Sequence, residues 1–495
     1  IDFIDEILDD LEAIIISHGH EDHAGAVAYF AEKIKCPIYV SGFARSLVEN
    51  RLKEFGLLEK TKLITLEKSK TINLSHFNLD FIATTHSIPE PAAILIKTKY
   101  GNLLHTADWK IDPDPILGEN FDTNAFKKIG NEGLLALIGD STNADVPGYS
   151  ESEAKVKEEL IKLFSRYSHR IVITCFSSNI VRLESIGVAA KKNNRKVVLV
   201  GRSMKKTIDA AIENKIIKEN INFITEEEAS HIPKENLVII CTGSQGEKKS
   251  ALYRIAYNSH KHIHLEKDDL VIFSSRDIPG NEKSINNLKN LLIGQKIEII
   301  TSDDDLVHVS GHGYAEEIKE MYNWTRPYVA IPVHGELKHL VAHSKLAQSC
   351  QVPITRILEN GKCIQLAPNK PEIYGFVETG KMIVEGRKLY DSESNFIKQR
   401  RKFSFDGVVM VSIIIEKDLS VNKNINISTL GLTDLDQKEI TSMFKELFIN
   451  DYLKLNDEKK SSDEMLENLI KIVIRKCMKL TSDKKPQVNS HILRI

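Results

Sequence analysis

The segment SHGHEDHAG contains four metal-binding side chains within six residues, directly after the apolar run AIII. These candidate ligands are His18, His20, Asp22 and His23. In an extended chain, side chains two residues apart project to the same side, so His18 and His20 can hold one ion. A turn at Glu21 would direct Asp22 and His23 towards a second ion. A polar loop with chance histidines is the alternative, which this density of ligands disfavours. Imidazole and carboxylate suit zinc or manganese, and the pattern does not distinguish the two metals.

Three further candidate ligands each follow an apolar run later in the chain. His86 closes FIATTH, Asp108 closes NLLHTAD, and His334 stands in AIPVHGE. Functional side chains gather in loops, and these three occupy loop positions after predicted strands. Taken singly, each is as consistent with a structural role as with a functional one. Together with the HxHxDH segment, they predict that seven ligands converge on two adjacent ion positions.

Alternating strands and helices must position these ligands. Apolar runs at 13–16, 36–41 and 133–141 are typical of strands, and the patterns at 24–34 and 43–56 are typical of helices. Loops bearing His and Asp follow the strands. This arrangement suits a layered α/β domain whose site lies at strand ends.

The pattern changes at about residue 151, where fully apolar runs begin to alternate with helical stretches. The runs at 170–176, 195–201, 235–243 and 268–275 are typical of buried parallel strands. Strands followed by His-bearing loops resume after residue 300, so we predict one domain interrupted by another. The predicted divisions are 1–150 (metal-binding domain, first part), 151–300 (inserted αβα domain), 301–432 (its remainder, β-rich from 365) and 436–495 (two charged helices and a terminal strand).

Composition narrows the class of protein. The chain has 495 residues, enough for about three domains, and its 42% hydrophobic and 27% charged residues indicate a soluble globular protein. No apolar run approaches the ~18 residues that a membrane span needs. The six cysteines are scattered without a CxxC pair, so no disulfide framework or cysteine zinc site is indicated, and a reducing cytoplasm is expected. The net charge of −2 does not exclude RNA, because a local basic groove can bind it.

Ten short motifs along nearly the whole chain occur in the order of a known family. They are SHGHEDHAGA (17–26), THSIPEP (85–91), HTADWKID (105–112), GDSTNA (139–144), FSSNIVRLES (176–185), GRSM (201–204), CTGSQGE (241–247), IPGNE (278–282), HVSGHGYAEE (308–317) and IPVHGE (331–336). HxHxDH alone indicates only a metallohydrolase, whereas VSGH and PVHGE are more specific. The sequence resembles the ribonuclease J family, within the β-CASP branch of the metallo-β-lactamase fold.

The resemblance implies an α/β fold, with a metallo-β-lactamase αββα sandwich, an inserted β-CASP αβα domain and a small C-terminal α/β domain. It implies a metal-dependent ribonuclease in RNA maturation and mRNA decay, acting as a 5′-to-3′ exonuclease with endonuclease action as a second activity. The family places an Asp at the end of an early strand before HxHxDH. Only 17 residues precede His18, so the first strands of the domain are expected before Ile1.

The resemblance also implies roles for individual residues. The first ion is held by His18, His20 and His86, the second by Asp22, His23 and His334, and Asp108 bridges them. Two ions, expected to be zinc with manganese as the alternative, can activate water and neutralise the developing charge of a phosphodiester. His312 matches the proton donor to the leaving oxygen, a role that suits the near-neutral pKa of histidine. Asp22 is predicted to be a catalytic residue as well as a metal ligand. Glu184 matches an acid that orients the site, with a solvated helix charge as the alternative.

Two loops are candidates for binding the RNA backbone and a 5′-monophosphate. FSSN (176–179) and VSGHG (309–313) each place hydroxyl, amide and backbone N–H donors just after an apolar strand. Ordinary strand-to-helix turns would fit each loop equally well. The candidate substrate-binding residues are Ser177, Ser178, Asn179, His308, Ser310, Gly311 and Gly313, with Arg202 and Arg276 as additional candidates.

The expected partner is RNA, preferably with a 5′-monophosphate, and the C-terminal region is expected to support a homodimer or higher homo-oligomer. Two alternative functions stay open. One is another hydrolase of this fold, acting on a thioester, lactam or small phosphodiester, which leaves the insertion and SGHG unexplained. The other is a catalytically silent RNA-binding subunit, which the intact set of His and Asp ligands disfavours.

Overall fold

The computed structural model describes residues 2–67, 70–217, 221 and 223–495 of the chain. The chain forms two compact units, Ile1–Thr379 and Gly380–Ile495. Each unit has a hydrophobic core of its own. Among the described helices, none is both long enough and apolar enough to span a membrane.

A seven-stranded mixed sheet forms one layer of the first unit. Its strands, in spatial order, are Ile354–Thr355, Val329–Val333, Ala136–Asp140, Gly101–His105, Ala92–Thr98, Asn78–Ala83 and Ile72–Asn73. The first four strands of this order are parallel and the remaining pairs are antiparallel. Parallel strands end at the same edge of a sheet, and Val333 pairs with Asp140 at that edge. Asp108 and His334, which follow these strands, are therefore brought side by side.

A three-stranded parallel sheet carries the HxHxDH segment. Its strands, in order, are Ile14–Ile16, Ile38–Val40 and Leu63–Thr65. Their apolar side chains pack with the helix Gly42–Phe55 in one core cluster. The strand Ile14–Ile16 confirms the strand predicted at 13–16. The helix predicted at 24–34 is instead two single turns, Glu21–Ala24 and Val27–Phe30, because Gly25 interrupts the pattern and glycine disfavours a helix interior.

A six-stranded, wholly parallel sheet forms the middle of the first unit. Its strands, in spatial order, are Phe223–Ile224, Lys196–Val200, Leu237–Cys241, Ile171–Thr174, Leu270–Phe273 and Glu298–Ile300. Four of them are the apolar runs predicted as buried strands, and that prediction is confirmed. Apolar side chains occupy both faces because helices cover the sheet on each side. Those helices are Glu153–Arg166, Ile180–Lys192, Arg202–Glu213, Glu226–Ala229, Ala251–Ala256 and Glu282–Gly294.

Three further helices pack beside the seven-stranded sheet. They are Thr123–Glu132, Ala315–Thr325 and Leu337–Ser349. The first is capped by Asp122, whose side chain accepts the N–H of Ala125. Phe126 and Tyr322 lie fully buried in the core that these helices share with the sheet. The short elements of this unit are the helix Asp2–Glu6, the 3₁₀ turns Leu58–Lys60 and Lys234–Asn236, and the hairpin of Lys362–Gln365 with Glu372–Phe376.

The second unit is built on the strand Val408–Ile415. Asn426–Leu430 pairs with it on one side and Gln487–Arg494 on the other, and its side chains are alternately buried. The helices Asp434–Leu453 and Asp463–Thr481 pack on the buried face. The two charged helices and terminal strand predicted for 436–495 are thus confirmed. The remaining elements are the hairpin of Met382–Glu385 with Lys388–Asp391 and the helices Asn395–Asp406 and Asp457–Lys460.

The division predicted near residue 432 differs from the structure. Because Val408–Ile415 pairs along its whole length with Gln487–Arg494, the segment from 380 to 432 belongs to the second compact unit. The segment predicted as β-rich also contains a helix, Asn395–Asp406. The pairing joins strands that are far apart in sequence, so local hydrophobic patterns could not reveal it.

Candidate metal centre

All seven predicted metal ligands converge at the edge where the parallel strands of the seven-stranded sheet end. The first group of ligands is His18, His20, His86 and Asp108, and the second is Asp22, His23, Asp108 and His334. Within each group, the ligand atoms all lie within 4.8 Å of one another. These groups correspond to the two predicted ligand sets. Asp108 belongs to both, which is the arrangement that a bridging carboxylate requires.

Three residues of the first group are buried and His20 is half-buried, and the nitrogen atoms of the group face one another. His20 Nδ1 lies 3.2 Å from His18 Nε2 and 3.0 Å from His86 Nε2. Asp108 Oδ2 lies 3.7 Å from His18 Nε2 and 3.8 Å from His86 Nε2. Burial, followed by the neighbouring imidazoles, holds the pKa of His18 far below its usual value, and burial lowers the pKa of His20 to about 4. Neutral imidazoles that converge beside a carboxylate fit a divalent cation between them.

Hydrogen bonds from outside the group determine which ring nitrogen faces inward. His86 Nδ1 lies 2.5 Å from the carbonyl oxygen of Gly311 and donates to it. The Ser17 hydroxyl lies 3.1 Å from His18 Nδ1 and can accept a hydrogen bond from it. Donation by Nδ1 leaves His86 with an unprotonated Nε2 in the cluster, as a metal-ligating histidine requires. A Cβ atom at Gly311 would lie 2.7 Å from His86 Nδ1, so this contact needs glycine.

The second group lies at the surface. The side chains of Asp22 and His334 are 63% and 34% exposed, whereas that of Asp108 is 3% exposed. His334 Nε2 lies 3.5 Å from Asp22 Oδ2, and His23 Nε2 lies 3.2 Å from Asp108 Oδ2. Hydrogen bonds to Asp140 and then to Asp22 raise the pKa of His334 to about 11. The centre therefore opens to solvent on the side of Asp22 and His334.

Asp140 is a site residue that the sequence analysis missed. It forms a third group with Asp108, His312 and His334, and its Oδ2 lies 2.7 Å from His312 Nδ1. Burial lowers the pKa of His312, but the Asp140 carboxylate more than offsets this effect. The pKa of His312 is therefore above the ordinary value for histidine. Burial likewise opposes the charge on Asp140, yet His312 holds its pKa well below the ordinary value. Asp140 closes the apolar run LLALIGD, the same signal that identified Asp108.

The orienting role of Glu184 stays a prediction, although Glu184 is not among the candidate metal ligands. Its side chain is buried in the helix Ile180–Lys192, and among the described residues it belongs to none of the three ligand groups. The carboxylate that contacts His312 is that of Asp140. Burial also excludes the alternative of a solvated helix charge.

The two candidate phosphate loops line different cavities. Ser177 and Ser178 line a cleft of about 470 Å³ together with Gly19 of the HxHxDH segment. Ser310 and Gly311 line a small enclosed cavity beside His86. Asn179 is buried and its side chain accepts the N–H of Arg182, so it acts as a helix cap, as the ordinary turn interpretation predicted. Ser310 Oγ accepts from Asn143 Nδ2 at 2.8 Å and from the N–H of His312 at 3.1 Å.

The remaining candidates differ in their surroundings. His308 lies 3.4 Å from the buried Arg182 guanidinium, and burial, then Arg182, Lys110 and Arg276, keep its pKa well below the usual value. Arg276 is exposed and donates to Asn143 Oδ1 at 2.8 Å. Arg202 lines the same cleft as Ser177 and Ser178. Gly313 donates its N–H to the carbonyl oxygen of Trp109 at 2.8 Å, which ties the SGHG loop to the Asp108 loop.

Four family models match successive parts of the chain. They are the metallo-β-lactamase superfamily (2–155), the ribonuclease J β-CASP domain (168–292), the Zn-dependent metallo-hydrolase RNA specificity domain (296–354) and the ribonuclease J C-terminal domain (395–495). Ribonuclease J of Sinorhizobium meliloti is 36% identical over 495 residues, which cover 100% of this chain and 88% of that protein. The chain belongs to the ribonuclease J family. Ribonuclease J 1 of Streptococcus pyogenes is 35% identical, and the match covers 84% of this chain and 74% of that protein. Ribonuclease J2 of Bacillus subtilis is 33% identical, and the match covers 84% of this chain and 76% of that protein.

Membership of the ribonuclease J family confirms the predicted fold and class of function. The chain consists of a metallo-β-lactamase domain with an inserted β-CASP domain, followed by a C-terminal domain, and it is a metal-dependent ribonuclease. The alternative of a thioester or lactam hydrolase is therefore wrong. A solved structure of a protein of unknown function from Enterococcus faecalis V583 shares the fold, with a TM-score of 0.50 and 16% identity over 70% of this chain and 79% of that chain.

We predict that Gly311→Ala weakens binding of the first ion. The added methyl group would lie 2.7 Å from His86 Nδ1 and 2.8 Å from Ser87 Oγ, so His86 must move or lose its hydrogen bond. Loss of such a supporting contact typically lowers metal affinity about 10- to 100-fold. Competition with a chromophoric chelator measures this affinity. Gly294→Ala is the matched control because its methyl group meets nothing within 4 Å, and equal affinities in both variants would contradict the prediction.

We predict that ion binding at the second group releases a proton and that binding at the first group does not. His334, with a pKa of about 11 in the absence of metal, is protonated at neutral pH and must lose its proton to become a ligand. His20, with a pKa of about 4, is already neutral. Affinity at the second group should therefore rise about tenfold per pH unit between about pH 6 and 9, while the first stays nearly constant.

Calorimetric titration in two buffers of different ionisation enthalpy counts these protons. The expected result is about one proton released for one ion and about none for the other. In His334→Gln the proton release should disappear together with the second binding step. Equal proton release in both steps would rule out this assignment of charge.

Proposed function

We propose that this chain degrades RNA from a 5′-monophosphorylated end with two divalent ions, zinc or alternatively manganese, held at the His/Asp centre. The observation that carries the proposal is the pair of four-residue ligand groups that share Asp108. His18, His20 and His86 would hold one ion on the buried side. The remaining ligands, Asp22, His23 and His334, would hold the other on the exposed side. When bound, such ions lower the pKa of water and neutralise charge on a phosphodiester.

His312 is suited to donate a proton to the leaving oxygen. Its Nδ1 is hydrogen-bonded to Asp140, so Nε2 is the nitrogen that remains for the substrate. The Asp140 carboxylate raises the pKa of His312 and so favours the protonated imidazole that a proton donor requires. Asp140 is in turn held by Thr142, whose N–H and hydroxyl donate to Oδ1 at 2.9 and 2.7 Å. We therefore assign Asp140 as a positioning residue and His312 as the proton donor.

Substrate access is proposed on the side where the centre is exposed. Asp22 and His334 are open to solvent, whereas His18 and Asp108 are buried. The cleft that Ser177 and Ser178 share with Gly19 adjoins the HxHxDH segment and also has Arg202 in its wall. Hydroxyl and guanidinium donors bind phosphate without reading bases, which supports sequence-tolerant binding of the RNA backbone.

Several broader assignments form part of the proposal. The inserted domain is proposed to span 151–300 between the two parts of the metallo-β-lactamase domain at 1–150 and from 301 onwards, and the C-terminal region is proposed to support a homodimer or higher oligomer. A cytoplasmic location is supported by the six cysteines, all of which are free thiols. The alternative of a silent RNA-binding subunit is disfavoured by the complete ligand set.

We predict that His312→Ala retains both metal ions but loses most cleavage. General-acid catalysis typically contributes about 10²- to 10⁴-fold, so kcat should fall by that factor. In Asp140→Asn the support for the charged imidazole is lost and the pKa of His312 falls. Because the donor must be protonated, the decline of kcat at alkaline pH should move to lower pH in this variant. His76→Ala, on an exposed loop, is the control for removal of a histidine.

Metal content and kinetics on full-length protein decide between the outcomes. Cleavage by His312→Ala at the parental rate would show that another group donates the proton. A parent protein that binds both ions and leaves RNA intact would instead favour the silent RNA-binding subunit.

We predict that the protein degrades 5′-monophosphorylated RNA faster than 5′-triphosphorylated RNA of the same sequence. A monophosphate carries about two charges and fits a small nest of N–H and hydroxyl donors, whereas a triphosphate is larger and more charged. The double variant Ser177→Ala with Ser310→Ala should reduce this preference without changing metal content. Mononucleotide release from uniformly labelled RNA is the measurement. Equal rates on both ends, or internal products alone, would refute the exonuclease proposal and leave the metal assignment intact.

A further inference from the structure

Three loops that surround the His/Asp centre are joined by backbone hydrogen bonds. Gly313 donates to the carbonyl oxygen of Trp109, which connects the loop of His312 to the loop of Asp108. The N–H of Ala315 donates to the carbonyl oxygen of Val146 at 2.9 Å, and the N–H of Glu316 donates to the carbonyl oxygen of Gly148 at 3.1 Å. The SGHG loop and the helix that follows it are thus attached to both neighbouring loops.

The side chain of Glu317 joins all three loops at one point. It is completely buried, and its Oε1 accepts the N–H of Ile111 at 2.7 Å and the hydroxyl of Ser150 at 3.0 Å. Its Oε2 accepts the N–H of Ser150 at 2.7 Å and the N–H of Tyr314 at 2.8 Å. Ile111 lies three residues after Asp108, and Tyr314 lies two residues after His312.

This carboxylate has no cationic partner among the described residues; its hydrogen-bond donors are backbone N–H groups and one hydroxyl. Burying a charge costs free energy, and burial raises the pKa of Glu317, while the N–H donors oppose that rise. A simple helix cap would need only the bond to Tyr314, which starts the helix Ala315–Thr325. The bonds to Ile111 and Ser150 go beyond a cap and fix the position of one loop relative to another.

We propose that Glu317 is a positioning residue for RNA cleavage, which holds the loop of His312 at a fixed position relative to the loop of Asp108. This proposal rests on the proposed function of His312 as proton donor. The hydrogen-bond partners of Glu317 are Ile111, Ser150 and Tyr314, none of which is a candidate ligand, so Glu317 acts through the backbone. Misplacing a reacting group by about 1 Å can cost about 10²-fold in rate, which is the scale of effect expected here.

The test is Glu317→Gln in the full-length, zinc-loaded protein. Glutamine has the same shape, but its amide NH₂ must face N–H donors that a carboxylate oxygen accepted, so two donors meet and the loop shifts. We expect kcat to fall about 10- to 100-fold, with KM changed less than about threefold and with metal content unchanged. Glu316→Gln is the matched control, because Glu316 is on the same helix and pairs at the surface with Lys319.

A double-variant cycle separates a positioning role from a general loss of structure. If Glu317 acts through His312, Glu317→Gln should slow the His312→Ala protein by less than about twofold, since the residue that it positions is already absent. An equal fold-loss in both backgrounds would overturn the proposal, as would loss of metal or a parental kcat in Glu317→Gln. Should that variant fail to fold, Ser150→Ala removes only the hydroxyl donor. A several-fold fall in kcat with full metal content would then support the proposal, and an unchanged kcat would overturn it.

The same cycle distinguishes failure of this proposal from failure of the proposed function. His312→Ala at the parental rate would remove the proton-donor assignment itself. A slow His312→Ala together with a fully active Glu317→Gln would retain the proton donor and refute only the role of Glu317.

Discussion

Four imidazoles surround the buried carboxylate of Asp108, and the arrangement of the centre depends on the negative charge of this carboxylate. Its two oxygens lie between 3.2 and 3.8 Å from ring nitrogens contributed by the HxHxDH segment and by two distant loops. A carboxylate in this position costs free energy unless positive charge compensates it. A divalent ion on each side meets that requirement, because each ligand group supplies imidazole nitrogens and shares the same carboxylate.

Around this centre, buried carboxylates hold loops as well as side chains. Asp140 accepts from Thr142 and His312, so the strand end that carries it also orients an imidazole. Glu317 accepts from backbone N–H groups of loops on either side. Backbone N–H donors have fixed positions, whereas lysine and arginine side chains are mobile. Carboxylates bound in this way therefore position loops that contain no regular secondary structure.

The sequence predicted the parts of the site that are local or strongly patterned. HxHxDH follows a strand of three residues, and the spacing of its four ligands is sufficient to separate two groups. Asp140 carried the same strand-end signal as Asp108, but it lay in a motif that contributed only to the family resemblance and was not predicted as a site residue. The contact between Asp140 and His312 joins the end of the strand Ala136–Asp140 to the SGHG loop, which comes 172 residues later in the chain. No local pattern contains a contact between residues so far apart in sequence.

The same limit applies to the second unit and to the phosphate loops. The strand Val408–Ile415 was assigned to the wrong side of a boundary because its parallel partner is the last strand of the chain. FSSN was correctly placed after a strand, yet its asparagine caps the next helix, which is the ordinary use of that residue type. Hydrophobic periodicity identifies elements, whereas strand order and capping depend on which elements meet.

A formal net charge of −2 is compatible with the proposed RNA-binding role of the cleft lined by Ser177 and Arg202, because the cations of that cleft are only partly neutralised. In its wall, Arg51 and Lys206 both pair with the carboxylate of Glu54. Arg202 lines the same cleft, and no ion pair involves it within the described residues. A phosphate entering the cleft would meet Arg202 directly and would compete with Glu54 for the other two cations. In this proposed binding cleft, the RNA backbone would exchange with the Glu54 carboxylate, and salt should weaken binding through the same competition.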